Sequence, residues 1–449
     1  MNVVQPIIER LVYPLWERWS GAEDLALLRE MTARDRWSAS ELRDLQRRRL
    51  RDVLVHAHRT VPFYTRRFDD AGFDPARVED IEQLAALPML TKAEINANRD
   101  ALISTASPRS RLIRDSTGGS TGDPLHFYHT TRKRSFVRAA TLRENAWLGC
   151  RVGDKILRFW GNPLDQRGLM VRAGNAVVRR TRMVDAFDLS DSQVRRFFDE
   201  LARYRPVLVI AYGNAALFAA RYACRHGLVL RHRPKAVVTA AEGLTADQRA
   251  VVRDTFGCPV VNRYASRELG HVASGCGTTD RLHTVDDGCL VEVVPLPGEA
   301  RPDRGRLVIT DLVNDAMPLI RYDTGDVGVI ARGQCPCGRP YGLLGDVEGR
   351  VVDLFRRKDG SYANGLSLLQ VFRGDDAVRS FQVVQESLDR IRVKVVPFDH
   401  ERLPDLAKIR ERICAALGER VHVETEICTS IPPAASGKHR FAISKVTGS

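Results

Sequence analysis

Between Lys155 and Tyr264 the chain alternates short apolar runs with helical stretches, and that alternation admits few folds. Lys155 to Gly161 (KILRFWG), Pro206 to Ala211 (PVLVIA), Lys235 to Ala240 (KAVVTA) and the run opening at Pro259 to Asn262 read as strands. Between them, Ala215 to His226 reads as a helix ended by Gly227. A second helix opens at Thr245, with Gln248 three residues on as its reciprocal cap and Gly257 as its stop. Strands separated by helices and short links predict a mostly parallel sheet. Ligands of such sheets gather beyond the carboxyl ends of the strands, which nominates Glu242-Gly243 and Tyr264-Ala265-Ser266.

A chain of 449 residues exceeds one ordinary core, so two domains are expected. The pattern changes near Gly349. Beyond it, Ser380 to Gln385 and Arg390 to Val396 read as paired strands, Asp405 to Leu417 as a helix and Val421 to Ile427 as a strand. The expectation is a large α/β domain over residues 1–348 and a small α+β domain over 349–449. Nearer the start, a helix follows Ser40, with Leu42, Leu45, Val53, Leu54 and Ala57 at three- and four-residue steps, and stops at Val61-Pro62.

Met1 to Trp19 lacks a basic cluster, and Glu9, Glu17 and Arg18 interrupt it, so it reads as a docking helix and not as a signal peptide. No window approaches the ~20 apolar residues of a membrane span, and the cytoplasm is the expected location. The net charge of +13 raises the question of nucleic acid. Its arginines are interleaved with Asp and Glu and lack an aromatic platform, so no nucleic-acid partner is expected.

The most chemically pointed segment is Asp115 to Pro124 (DSTGGSTGDP). Three glycines and four hydroxyl side chains make a loop rich in donors for phosphate oxygens. It lacks the Lys-Ser/Thr ending of a Walker loop. Arg321 to Val327 (RYDTGDV) places Asp326 after a Thr-Gly turn, where it can accept ribose hydroxyls. Tyr264 to Glu268 (YASRE) offers an aromatic face for a purine and a carboxylate for magnesium. Pro432 to Arg440 (PPAASGKHR) carries Lys438 on a glycine-containing loop. Each has a plain structural alternative: Tyr264 as core, Glu268 as surface charge, Asp326 as a turn former, Lys438 as a solvated cation.

Taken in order, with Leu54 to Phe68 (LVHAHRTVPFYTRRF), Ala241 to Gly243 (AEG) and Glu348 to Asp353 (EGRVVD), these segments resemble the adenylate-forming ligase superfamily. Within it they are similar to the phenylacetate–CoA ligase and CapK-like branch. The resemblance implies the adenylate-forming ligase fold, with a mobile small domain. It implies activation of a carboxylic acid by ATP, aromatic acids being among the candidates, with coenzyme A, an amine or a carrier-protein thiol as acyl acceptor. It assigns Ser116, Thr117, Gly118, Gly119, Ser120, Thr121 and Gly122 to the phosphates, Glu242 and Tyr264 to the adenine, Asp326 with Arg350 to the ribose, and Ala265 and Ser266 to the nucleotide site as a whole. Glu268 would hold Mg2+, and Lys438 would bridge the carboxylate and the α-phosphate. One departure concerns the link, where Val352 stands at the usual hinge aspartate and only Asp353 remains.

There are nine cysteines, an odd number that favours metal or free thiols over disulfides. Cys276, His283, Cys335 and Cys337 together suit a tetrahedral, structural Zn2+ site, and the same branch carries a similar set. His271 is the rival nitrogen ligand. The acid itself, the choice of acceptor and the question of a homodimer stay open at this level, as does a non-catalytic nucleotide-binding role.

Overall fold

The computed structural model describes residues 4–78, 80–117, 125–161, 174, 176–241, 243–295, 301–348, 354–372, 375, 377–397, 403–431 and 441–446. The expected strands form as Ile156–Phe159, Leu208–Tyr212, Ala236–Ala240 and Val260–Ser266. The first three pair in parallel, and Thr181–Val184 adds alongside Ile156–Phe159. Leu208–Tyr212 is buried at every position, which is why it reads as one unbroken apolar run. The helices Gly213–Arg225 and Ala246–Phe256 lie between these strands in the chain. Thr245 and Gln248 make both bonds of the capping box, and Gly257 ends the helix at φ 63°, a left-handed conformation that favours glycine.

Contacts divide the chain into two compact units. One holds Met1–Ser116, His126–Gly153 and Val261–Glu348; the other holds Thr117–Leu125, Asp154–Val260 and Gly349–Ser449. A seam falls at Glu348/Gly349, where the sequence predicts the interdomain link. The remaining seams follow a different division from 1–348 and 349–449, because residues 154–260 group with the C-terminal segment.

Within that second unit the parallel strands carry a core that includes Leu157, Phe159, Phe197, Val209 and Phe256. The C-terminal segment builds a four-stranded sheet in the order His422–Ile427, Arg390–Pro397, Val378–Ser387, Ala442–Ser444. Its central pair is antiparallel and its outer pairs are parallel. Phe372 stacks on Phe381 at 3.8 Å in its core, and Asp405 caps the helix Leu406–Leu417. Buried Arg357 ties this segment to Asp188 at 2.8 Å.

The first unit is helices against antiparallel strands. Its strands run in the order Cys289–Pro295, Arg304–Asp311, Tyr322–Ala331, Leu343–Glu348, Leu282–Thr284, Gly270–Gly275, Val260–Ser266. Every one of these neighbours is antiparallel, so the sheet content is mixed where the sequence reading anticipated mostly parallel pairing. The helix expected after Ser40 starts at Ala39 instead. Ser38 and Glu41 form its capping box, and it ends at Val61 because Pro62 opens the next helix.

Charge is buried in this unit to an unusual depth, and it is paired. Arg143 is wholly buried and donates to Asp287 at 2.9 and 3.1 Å and to the Tyr341 hydroxyl at 2.7 Å. Arg34 reaches the same carboxylate at 3.2 Å. Glu144, also buried, holds Arg263 at 2.8 Å and His271 at 2.6 Å. Asp24 receives a two-pronged bond from Arg138 at 2.7 and 2.8 Å and one from the Tyr13 hydroxyl at 2.8 Å. These pairs lock the helices Asp24–Arg34 and Thr131–Trp147 in register with the loop at Asp287.

Candidate active site and metal centre

Asp326 is aimed by the turn before it. The Thr324 hydroxyl donates to the carbonyl of Leu307 at 2.8 Å and accepts the Asp326 N–H at 3.2 Å. Gly325 sits at φ 75° with open space around it, so backbone conformation alone demands glycine there. Asp323 closes the turn by accepting the Gly325 N–H at 2.9 Å and pairs with Arg306 at 3.0 Å. Upstream, buried Arg321 pairs with Glu292 at 3.0 Å and donates to the Leu87 carbonyl. The motif is thus pinned at both ends.

Opposite Asp326 lies Tyr264, whose hydroxyl donates to Asp326 Oδ2 at 2.8 Å. Burial, reinforced by the charge of Asp326, holds the Tyr264 phenol well above its ordinary pKa, so it remains a donor. The following residues of the strand Val260–Ser266 are Ala265, exposed, and Ser266, half-buried, whose hydroxyl accepts the N–H of Leu269 at 3.2 Å. Glu268 accepts the Tyr322 hydroxyl at 3.2 Å. Arg267 comes within 3.7 Å of Asp115, one residue before Ser116. Three segments separated by as much as about 210 positions therefore meet in one unit: the start of DSTGGSTGDP, YASRE and RYDTGD.

Ser116 ends the strand Ile113–Ser116, which pairs antiparallel with His126–His129. Thr117 and Leu125 exchange two further bonds, at 2.9 and 3.0 Å, where the glycine-rich stretch leaves and returns. Gly118, Gly119, Ser120, Thr121, Gly122, Glu242, Arg350, Val352, Asp353 and Lys438 lie outside the described residues. The sequence reading passed over Arg267, Tyr322 and Arg321. Arg321 and Tyr322 belong to RYDTGD and Arg267 to YASRE, but only their folded contacts reveal what they steady.

In the second unit, an aromatic wall follows the strand ends. Trp160 stacks on Tyr212 at 3.9 Å, and Phe187 lies parallel to Tyr212 at 5.9 Å. The Trp160 indole N–H is buried without a partner among the described residues. Gly161 permits this closeness, because a Cβ there would sit 2.4 Å from the Phe187 ring.

Cys276, His283, Cys335 and Cys337 converge, each offering a ligand atom within 4.8 Å of the others. Cys276 Sγ and Cys335 Sγ are 3.7 Å apart, and Cys337 Sγ is 3.2 Å from His283 Nε2. Tetrahedral zinc with Zn–S near ~2.3 Å spaces two sulfurs by about 3.8 Å, so the donor set fits such an ion. His271 is excluded as the nitrogen ligand, since Glu144 takes its Nδ1 and the Thr141 hydroxyl its Nε2 at 3.1 Å. The site joins the end of the strand Gly270–Gly275 to the turn at Gly338, φ 77°.

Comparison with known proteins agrees with this geometry. Solved structures of 2-hydroxyisobutyryl-CoA ligase align along the chain; one, with 2-HIB-AMP and coenzyme A in the thioesterification state, gives a TM-score of 0.61 at 21% identity, covering 92% of each chain. That is the fold of the adenylate-forming ligases. The chain is 28% identical to a phenylacetate–coenzyme A ligase of Thermus thermophilus, over 88% of its own length and 93% of the relative. It is 23% identical to Protein CapK of Staphylococcus aureus, over 91% and 90%. Residues 355–445 match the CapK C-terminal domain model. Over most of its length the chain is thus similar to phenylacetate–coenzyme A ligases and to Protein CapK.

Proposed function

We propose that this protein activates a carboxylic acid with ATP and passes the acyl group to coenzyme A. A carboxylate oxygen attacks the α-phosphorus, the bond to the β,γ-phosphates breaks, and pyrophosphate leaves with its electron pair. The thiol sulfur then attacks the carbonyl carbon of the mixed anhydride and AMP departs, the thiol proton passing to solvent. The observation that carries this reading is the meeting of Asp115, Arg267, Tyr264, Glu268 and Asp326 in one unit. Phenylacetate–coenzyme A ligases among the relatives support coenzyme A as acceptor over an amine or a carrier-protein thiol.

In this reading Asp326, with Arg350, accepts the ribose hydroxyls, while Tyr264 holds the Asp326 carboxylate in place and, with Glu242, flanks the adenine. Ser116 to Gly122 wrap the phosphates. Glu268 would hold Mg2+, which offsets charge on the phosphates. The first test is ATP–pyrophosphate exchange with a panel of aryl and fatty acids, repeated with coenzyme A and amines. Asp326→Asn should raise the KM for ATP by about ten- to a hundredfold, the worth of a hydrogen bond to a charged acceptor. Exchange with no acid, or an unchanged KM in that variant, would sink the assignment.

Zn2+ is proposed as a structural ion held by Cys276, His283, Cys335 and Cys337. With no open coordination position it would brace two hairpin ends and take no part in acyl transfer. Elemental analysis should find about one zinc per chain. Cys335→Ser should lose it and melt at a clearly lower temperature, while the exposed Cys224→Ser changes neither.

A further inference from the structure

The helical stretch from Val4 to Ser20 presents a face that the adenylation chemistry leaves unused. Val4, Ile7, Leu11, Leu15 and Trp19 recur at three- and four-residue steps and are 48, 47, 59, 62 and 70% exposed. They are five of the eleven large hydrophobic residues exposed among the described residues. The inner face is fixed to the first unit. Tyr13 donates to buried Asp24, Gln5 Nε2 donates to the Val152 carbonyl at 2.7 Å, and Ile8 packs so close to Gly153 that a Cβ there would meet it at 2.9 Å. The stripe is therefore held outward on a rigid support.

The charges on this helix are sorted. Both acids are half-buried and engaged: Glu9 accepts from Gln5 at 2.8 Å, and Glu17 accepts the N–H of Leu25 at 2.7 Å. The cations Arg10 and Arg18 are the exposed charged residues between Val4 and Ser20. An outward surface of aliphatic side chains, a terminal tryptophan and arginines alone matches the interface of an anionic bilayer. Apolar side chains enter the acyl boundary, Trp sits at headgroup level, and Arg reaches the phosphates. A protein partner or a second copy would give the outward arginines no reason to exclude acids. The net charge of +13 favours the same partner. No described helix is long and apolar enough to cross a membrane, so the contact is along the surface.

We infer that the Val4–Ser20 helix docks this protein onto anionic lipid, lying in the plane of the interface. The inference is independent of the proposed ligase activity. The test is co-sedimentation with phosphatidylcholine vesicles containing or lacking half phosphatidylglycerol, at low and high salt. Retention is expected on the anionic vesicles only, falling with salt. Leu11→Glu combined with Leu15→Glu should cut it at least tenfold at an unchanged melting temperature. Each of Arg10→Gln and Arg18→Gln should cut it about fivefold. Tryptophan emission should shift to the blue on binding, and Trp19→Phe should remove the shift. Should the double variant unfold, the single Leu15→Gln and the Trp19→Phe readouts decide. Wild-type protein left in the supernatant at low salt would overturn the inference. So would equal retention of the apolar variants, or a dimer that those variants dissolve in the absence of vesicle binding.

Discussion

Lys438→Ala is expected to lower ATP–pyrophosphate exchange about a hundred- to a thousandfold while leaving the affinity for ATP within a few fold. An acid approaching ATP meets like charge worth about 4 kcal/mol per pair at ~4 Å and an effective dielectric near 20. A cation that reaches the carboxylate and the α-phosphate together counters this where the new bond forms, and removing one such contact costs about 2.7–4 kcal/mol of barrier. ATP itself is held by many other groups, so its binding need not suffer. Exchange assays and equilibrium ATP titration on the same preparation separate the two effects. Near-normal exchange in the variant would remove Lys438 from the chemistry. The thioester-forming half-reaction, started from synthetic acyl-adenylate, should survive, because the role proposed for the lysine is confined to the first step.

Arg143→Met should destabilise the fold by about 3–5 kcal/mol, read as the shift of a denaturant midpoint at constant slope. Asp287 is wholly buried, and Arg143 supplies two of its bonds. Burial alone would push the Arg143 guanidinium toward deprotonation, but the Asp287 charge outweighs this and holds it above its ordinary pKa. Removing the guanidinium strands a carboxylate that, among the described residues, is then paired by Arg34 alone. The partner substitution Asp287→Leu, added to Arg143→Met, should recover part of the loss, since an apolar pair no longer carries uncompensated charge. By contrast, Arg109→Ala breaks an exposed pair with Asp100 and should cost little. Equal costs at Arg143 and Arg109 would show that the buried network is not what holds these helices.

Much of the parallel region was legible because each strand is either a continuous apolar run or ends in an explicit signal. The capping pair Thr245 and Gln248 and the left-handed Gly257 are local chemistry, decided within a few residues. The antiparallel strands of the first unit were harder to read. Tyr322–Ala331 spends half its length on the turn YDTGD, and Arg304–Asp311 and Gly270–Gly275 each include glycine or charged positions. Their identity as strands depends on partners far away in sequence. The starting residue of the helix Ala39–Thr60 differs by two from the sequence reading because Ser38 and Ser40 are both acceptable caps, and only Ser38 has Glu41 at the reciprocal position.

Residue types and spacing alone nominated the side chains suited to nucleotide-like and metal-like chemistry here, since a glycine-rich hydroxyl loop, an aspartate after a Thr-Gly turn and three thiols with an imidazole are legible wherever they lie. Tertiary structure decided which of them meet. It chose His283 over His271 by giving both nitrogens of the latter to Glu144 and Thr141. It also set Tyr264 on Asp326 and turned Glu9 and Glu17 inward beneath an apolar stripe. Side-chain chemistry is a property of the residue, whereas proximity, burial and outward direction are bought by packing between segments far apart in the chain.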